Sequence, residues 1–170
     1  MSGQIVALQE KHGGEFGGAP DSREAVRLWL RMLSCTMVIE KRVKRSLGAE
    51  FATTLPRFDI MAALDRAEHG LGMGALGRAL LVSNGNITGL VQTLVRDGDV
   101  ILATAPGDRR AAVVTLTPAG RARFKLMAAA HHGWIEAMFD GLSPEDSAQL
   151  LTLLGTLKTS IAAAAPETDA

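Results

Sequence analysis

Between Leu55 and Thr117 the chain arranges its residues in an order that few folds accept. A helical pattern from Leu55 to Glu68 leads into a shorter one from Met73 to Leu81. Ser83 then opens a third helix, in which Ile87, Leu90, Val91 and Leu94 fall at i, i+3, i+4 and i+7. Two β-prone runs follow, Val100-Ile101-Leu102 and Val113-Val114-Thr115-Leu116, joined around Pro106-Gly107-Asp108-Arg109-Arg110. Three helices and a hairpin in this order make a winged helix-turn-helix. The expected fold is mostly α with a small β-wing, carrying N- and C-terminal dimerisation helices on either side.

The third helix predicts what the head contacts. Its apolar side faces the protein, which leaves Asn84, Gly85, Thr88, Gly89 and Gln92 on the other side, with Asn86 at the leading edge. Asn and Gln can pair bidentately with adenine and Thr can touch a thymine methyl, while glycine lets the helix approach the groove floor. The hairpin tip adds Asp108, Arg109 and Arg110, and an arginine there can enter a narrow minor groove. Asp108 lies two residues before Arg110 and can brace it. The expected DNA contacts are therefore Ser83, Asn84, Asn86, Thr88, Gln92, Asp108, Arg109 and Arg110, with Arg78 and Arg57 on the backbone. An ordinary amphipathic helix with a solvated polar face is the plainer alternative. The wing that follows weighs against it.

Helical stripes flank the head. Trp29, Met32, Leu33, Thr36, Val43 and Leu47 recur on one face of a first helix opened by the Asp21…Glu24 capping pattern. Lys41, Arg42, Lys44 and Arg45 crowd what reads as its C-terminal end, where cations suit the helix dipole. After the wing, Thr117-Pro118 caps a long helix carrying Phe124, Met127, His131, Trp134, Ile135, Met138 and Phe139. Ser143-Pro144-Glu145-Asp146 opens a last helix with Leu150, Leu153, Leu154, Leu157 and Ile161. Residues 1–20 read as a flexible tail, 21–50 as a dimerisation helix, 55–117 as the DNA-binding domain, 118–163 as C-terminal dimerisation helices and 164–170 as a second tail. Stripes from both ends of a chain can make a shared core, so a homodimer is expected, with an intramolecular bundle as the alternative.

The motifs Val82-Ser83-Asn84, Leu90-Val91-Gln92-Thr93-Leu94-Val95-Arg96-Asp97-Gly98, Gly107-Asp108-Arg109-Arg110 and Val114-Thr115-Leu116-Thr117-Pro118-Ala119-Gly120 resemble the multiple-antibiotic-resistance regulator (MarR) family. The resemblance runs from about Arg23 to Ile161, and its most specific part is the Asp-x-Arg wing followed by Leu-Thr-x-x-Gly. It implies an obligate dimer with terminal helices in the interface, a pseudo-palindromic operator in double-stranded DNA, and repression relieved by a small ligand or by oxidation. It also implies that Arg110 is the minor-groove residue and Asp108 its partner. Gly89 stands where that family commonly has a basic or polar residue, and Gly74 and Gly77 enrich a helix usually built of better helix formers. Arg42, Arg45 and His69, near the junction of head and flanking helices, point to a small anionic or aromatic effector.

Composition narrows the remaining classes. Lys plus Arg and Asp plus Glu both number 18, so bulk charge predicts neither nucleic acid nor membrane. From Pro56 to Lys125 there are nine basic and six acidic residues, a net +3, whereas the stretch after Glu136 is acidic. The single cysteine, Cys35, allows no internal disulfide and suits a reducing compartment. No signal-peptide pattern or membrane-length apolar run is evident, and a cytoplasmic protein is expected.

Gly72-Met73-Gly74-Ala75-Leu76-Gly77 matches G-x-G-x-x-G, with Asp97 and Asp99 further on, but a helical pattern precedes it and no βαβ unit forms. Cys35, inside an apolar helix and with no tyrosine in the chain to hydrogen-bond a thiolate, reads as structural rather than as a redox sensor. His69, His131 and His132 lack metal-ligand spacing, and Trp29 and Trp134 read as core anchors. No nucleophile–base or paired-carboxylate arrangement appears. No enzyme, catalytic residue, cofactor or metal is expected. The alternative function is a winged-helix protein–protein module without sequence-specific DNA binding.

Overall fold

The structure is a computed structural model that describes residues 23–80, 84–105 and 108–164, the side chains of 84–86 and 104–111 excepted. The expected tails apart from Ala164, the Asp21 cap, Ser83 and the Pro106-Gly107 turn lie outside the described residues. The elements are α1 (Glu24–Phe51), α2 (Leu55–Asp65), β1 (Leu71–Gly72), α3 (Met73–Leu80), α4 (Asn84–Arg96), β2 (Val100–Ala105), β3 (Asp108–Leu116), α5 (Pro118–Phe139) and α6 (Pro144–Ala163). They make a mostly helical winged helix-turn-helix with a small antiparallel sheet in the order β1-β3-β2. Val100 pairs with Leu116 and Leu102 with Val114, and Leu71 and Gly72 add a short third strand against Val114 and Val113.

Two compact units divide the chain, Met1–Arg42 and Val43–Ala170, with the boundary inside α1. In the first, the described part of α1 leaves Val26, Leu28, Trp29, Leu33 and Met37 exposed. In the second, periodicity becomes a core. Ile60, Met61 and Leu64 of α2, Leu76 of α3, Ile87, Val91 and Leu94 of α4, Val100 and Val114 of the wing, and Met127 of α5 are all buried. Val43 and Leu47 join them from the last part of α1. Of the stripe expected on α1, only those two are buried. Trp29, expected as a core anchor, is 55% exposed among the described residues.

Caps follow the chemistry of the sequence. The Thr117 hydroxyl accepts from the Gly120 N–H at 2.9 Å, with proline at the start of α5. Ser143 and Asp146 form a reciprocal capping box, the Asp146 N–H donating to Ser143 Oγ at 3.0 Å and the Ser143 N–H donating to Asp146 Oδ2 at 3.3 Å. The end of α1 differs from the sequence reading. It runs to Phe51, so Lys41, Arg42, Lys44 and Arg45 sit well before its terminus and its last turn holds no basic residue. Ala52, at φ 49, turns the chain out in the left-handed region.

Two glycines fix how the head closes. Gly70 has φ +75, and a side chain there would strike the Val114 carbonyl and the Thr115 side chain, so β1 can lie on β3 only with glycine before it. Gly120 is helical, and its constraint is steric. A Cβ would overlap the Asp99 carbonyl, which brings the first turn of α5 directly against the base of the wing.

Candidate nucleic-acid interface

Helix α4 is split lengthwise. Ile87, Val91 and Leu94 are at most 2% exposed, and Leu90 is half-buried, so one side is fully used in packing. Thr88, Gly89 and Gln92 are exposed on the other side, and nothing lies within 4 Å of a Cβ built on Gly89. Arg78 is exposed in the last turn of α3. Asn84 and Asn86 belong to the first turn of α4, and Asp108, Arg109 and Arg110 begin β3. The side chains of these five lie outside the described residues, as does Ser83. The strands run longer than the apolar runs suggested, reaching Ala105 and starting at Asp108, with an irregularity after Thr104.

Behind this face four arginines are occupied. Arg57 is paired with Asp97 across 40 residues of sequence, and its side chain is only 13% exposed. Burial, followed by the repulsion of Arg123, lowers the Arg57 pKa. Arg57, expected from sequence on the DNA backbone, closes α2 onto the end of α4. Arg121 donates to Asp65 at 2.6 Å. Arg123 donates from Nη1 to the buried Asp99 at 2.5 Å and from Nη2 to the Phe51 carbonyl at 2.9 Å. Arg96 donates to the Thr93 hydroxyl. Thus Asp97 and Asp99, which completed the spacing of a dinucleotide fingerprint, are partners of arginines. A strand does precede Gly74, namely β1, which the sequence reading missed. It is two residues long and antiparallel to β3, so no βαβ unit exists there.

A row of rings joins α1, α2 and α5. Phe51 is 6.2 Å from Trp134, Trp134 is 6.5 Å from His131, and His131 stacks on Phe58 at 5.1 Å, with Phe124 5.5 Å beyond. Burial, and then the neighbouring His132, push the His131 pKa down. His132 points elsewhere and pairs with Glu136 at 3.1 Å. The effector residues expected from sequence, Arg42, Arg45 and His69, are exposed. Cys35, expected as a structural cysteine, is exposed too. Among the described residues no cluster of His, Cys, Asp or Glu could hold a metal, and no helix is long and apolar enough to cross a membrane.

A half-packed, half-open helix followed by a two-stranded wing defines the winged helix-turn-helix class of DNA-binding transcriptional regulators. The family is equally plain: the chain belongs to the MarR family. The MarR family profile matches residues 53–111. The crystal structure of a MarR family transcriptional regulator from Silicibacter pomeroyi is 32% identical, with a TM-score of 0.73, and the match covers 85% of this chain and 99% of that one. The transcriptional activatory protein BadR of Rhodopseudomonas palustris is 36% identical over 106 residues, 61% of this chain and 60% of that protein. The HTH-type transcriptional repressor YetL of Bacillus subtilis is 31% identical over 98 residues, 58% of this chain and 59% of that protein. The matches thus span about three-fifths of the length of these two curated relatives.

Proposed function

We propose that the protein is a homodimeric repressor that reads a pseudo-palindromic operator with two copies of α4 about one helical turn apart. In each head Asn84, Asn86, Thr88 and Gln92 meet base edges, with Ser83 on the DNA backbone at the start of the helix. Arg109 and Arg110 enter the minor groove, Asp108 braces Arg110, and Arg78 holds a phosphate. The division of α4 carries the reading. With Ile87, Val91 and Leu94 buried, the face of Thr88, Gly89 and Gln92 is the side the helix has left to offer a groove.

Residues 55–117 serve as the head, 21–50 and 118–163 as dimerisation helices, and 1–20 and 164–170 as tails. Helix α6 supports the dimer, because none of its residues is buried and Leu150, Leu151, Leu153, Leu154, Leu157 and Ile161 are all exposed. Covering such a stripe returns about 25 cal/mol per Å² of apolar surface, and a second copy brings the same stripe in isologous form. A small anionic or aromatic effector near Arg42, Arg45 and His69 would weaken binding to the extent that it prefers the unbound spacing of the heads. BadR is named as an activatory protein and YetL as a repressor. Of these two signs the family resemblance favours repression.

Selection from a random duplex library, followed by affinity measured at several salt concentrations, tests the reading. A two-fold-symmetric site whose log affinity falls linearly with log salt is the expected result. No enrichment, together with salt-insensitive binding, would discard it in favour of a protein-binding module. Transcription from a promoter carrying the selected site then gives the sign.

A further inference from the structure

We propose that Arg123 is the positioning residue that fixes the angle of the wing to the end of α1. The inference deepens the DNA-binding reading above and rests on it for its affinity readout. Three observations carry it.

First, the guanidinium is bidentate between two otherwise separate elements. Nη1 binds Asp99, the residue before β2, at 2.5 Å, and Nη2 binds the Phe51 carbonyl, the last of α1, at 2.9 Å. Second, each partner needs it. The end of a helix leaves carbonyls without intrahelical partners and carries partial negative charge, and the last turn of α1 has no cation of its own. The Asp99 side chain is 6% exposed, and a buried carboxylate needs a counter-charge. Third, the wing base cannot swing independently of α5. The Thr117 N–H donates to the Asp99 carbonyl at 3.0 Å, the Thr117 hydroxyl donates to the Gly98 carbonyl at 2.7 Å, and Gly120 lies against the Asp99 backbone. Asp99 is therefore clamped at backbone and side chain, and Arg123 passes that clamp on to α1.

Arg121, two residues earlier on the same helix, supplies a built-in comparison. It pairs with Asp65 of α2 at 2.6 Å, and neither partner belongs to the wing or to α1. A lysine at 123 keeps the charge but loses the planar fork, so it cannot hold Asp99 and the Phe51 carbonyl together.

The test is a spin-label distance between Gly48→Cys on α1 and Ala103→Cys on β2 in a Cys35→Ser background, with labelled chains diluted by unlabelled ones to remove intermolecular pairs. A Cβ at Gly48 meets nothing within 4 Å, and Ala103 is exposed. The unchanged arginine should give one narrow distance. Arg123→Lys and Asp99→Asn should broaden or shift it, and should lower affinity for the selected operator roughly tenfold, about the effect of one lost charge-assisted bond. Arg121→Lys should leave the distance narrow. A residue that only adds stability would lower the melting temperature without moving the distance. If Arg123→Lys fails to fold, Asp99→Asn carries the same measurement. A narrow, unshifted distance in a folded variant overturns the inference. Absence of an operator would remove the DNA-binding reading but leave the distance measurement valid.

Discussion

The two sides of the reading head use polar residues in opposite ways. On the inner side, Arg57, Arg121 and Arg123 are matched to Asp97, Asp65 and Asp99. On the outer side, Arg78, Thr88 and Gln92 are exposed. The net +3 of the sequence between Pro56 and Lys125 counts both sides together. Three of its nine cations are paired with carboxylates, so the charge available to a polyanion depends on which arginines are paired rather than on how many there are.

Five substitutions break or sharpen that contrast. The largest effect is expected at the inner side's tightest contact. Gly120→Ala should cost about 2–3 kcal/mol by overpacking against the Asp99 backbone, read by urea denaturation. Gln92→Ala on the outer side should leave the melting temperature unchanged and relax base preference at one operator position by about 1–3 kcal/mol, read from a panel of single-base variants. Arg57→Met should lower stability by about 1 kcal/mol, since Asp97 is a third exposed, while the salt dependence of DNA binding stays as it was. Arg78→Ala should do the reverse, keeping stability within about 0.5 kcal/mol and reducing the salt slope by about 1. If Arg57→Met changed the salt slope and Arg78→Ala did not, the division into inner and outer arginines would be wrong.

The smallest effect concerns pH. The His131 pKa is lowered in the fold, so the unfolded chain binds its proton first as pH falls. The neutral ring's contribution is complete above the ordinary histidine value of about 6.5 and is lost between that value and the lower folded one. Stability should therefore decline as pH drops below about 6.5, and His131→Gln should flatten that part of the curve in thermal scans.

What the sequence made legible was local. Ile87, Val91 and Leu94 showed the packed side of α4, and Thr117 and Ser143 announced α5 and α6 because caps act over three residues. Strand β1 escaped notice because two residues, Leu71 and Gly72, carry no alternation, and its signal lay in Gly70, whose positive φ no spacing reveals. The pairing of Arg57 with Asp97 joins residues 40 apart, and that of Arg123 with the Phe51 carbonyl joins residues 72 apart. Neither leaves a local trace. Trp29 and Leu33 kept helical periodicity without burial, because periodicity identifies an apolar face and not the chain that covers it.

The close approach at Gly120 has a consequence for anyone recombining these regulators. Heads from one member and long helices from another look like interchangeable cassettes, with the Thr117-Pro118 cap as the natural splice point. The Gly120 contact makes that junction a weld: the first turn of α5 and the loop before β2 were shaped against each other down to a missing methyl group. A chimera should therefore take α5 through Arg123 from the same parent as the wing, and place its junction further along the helix.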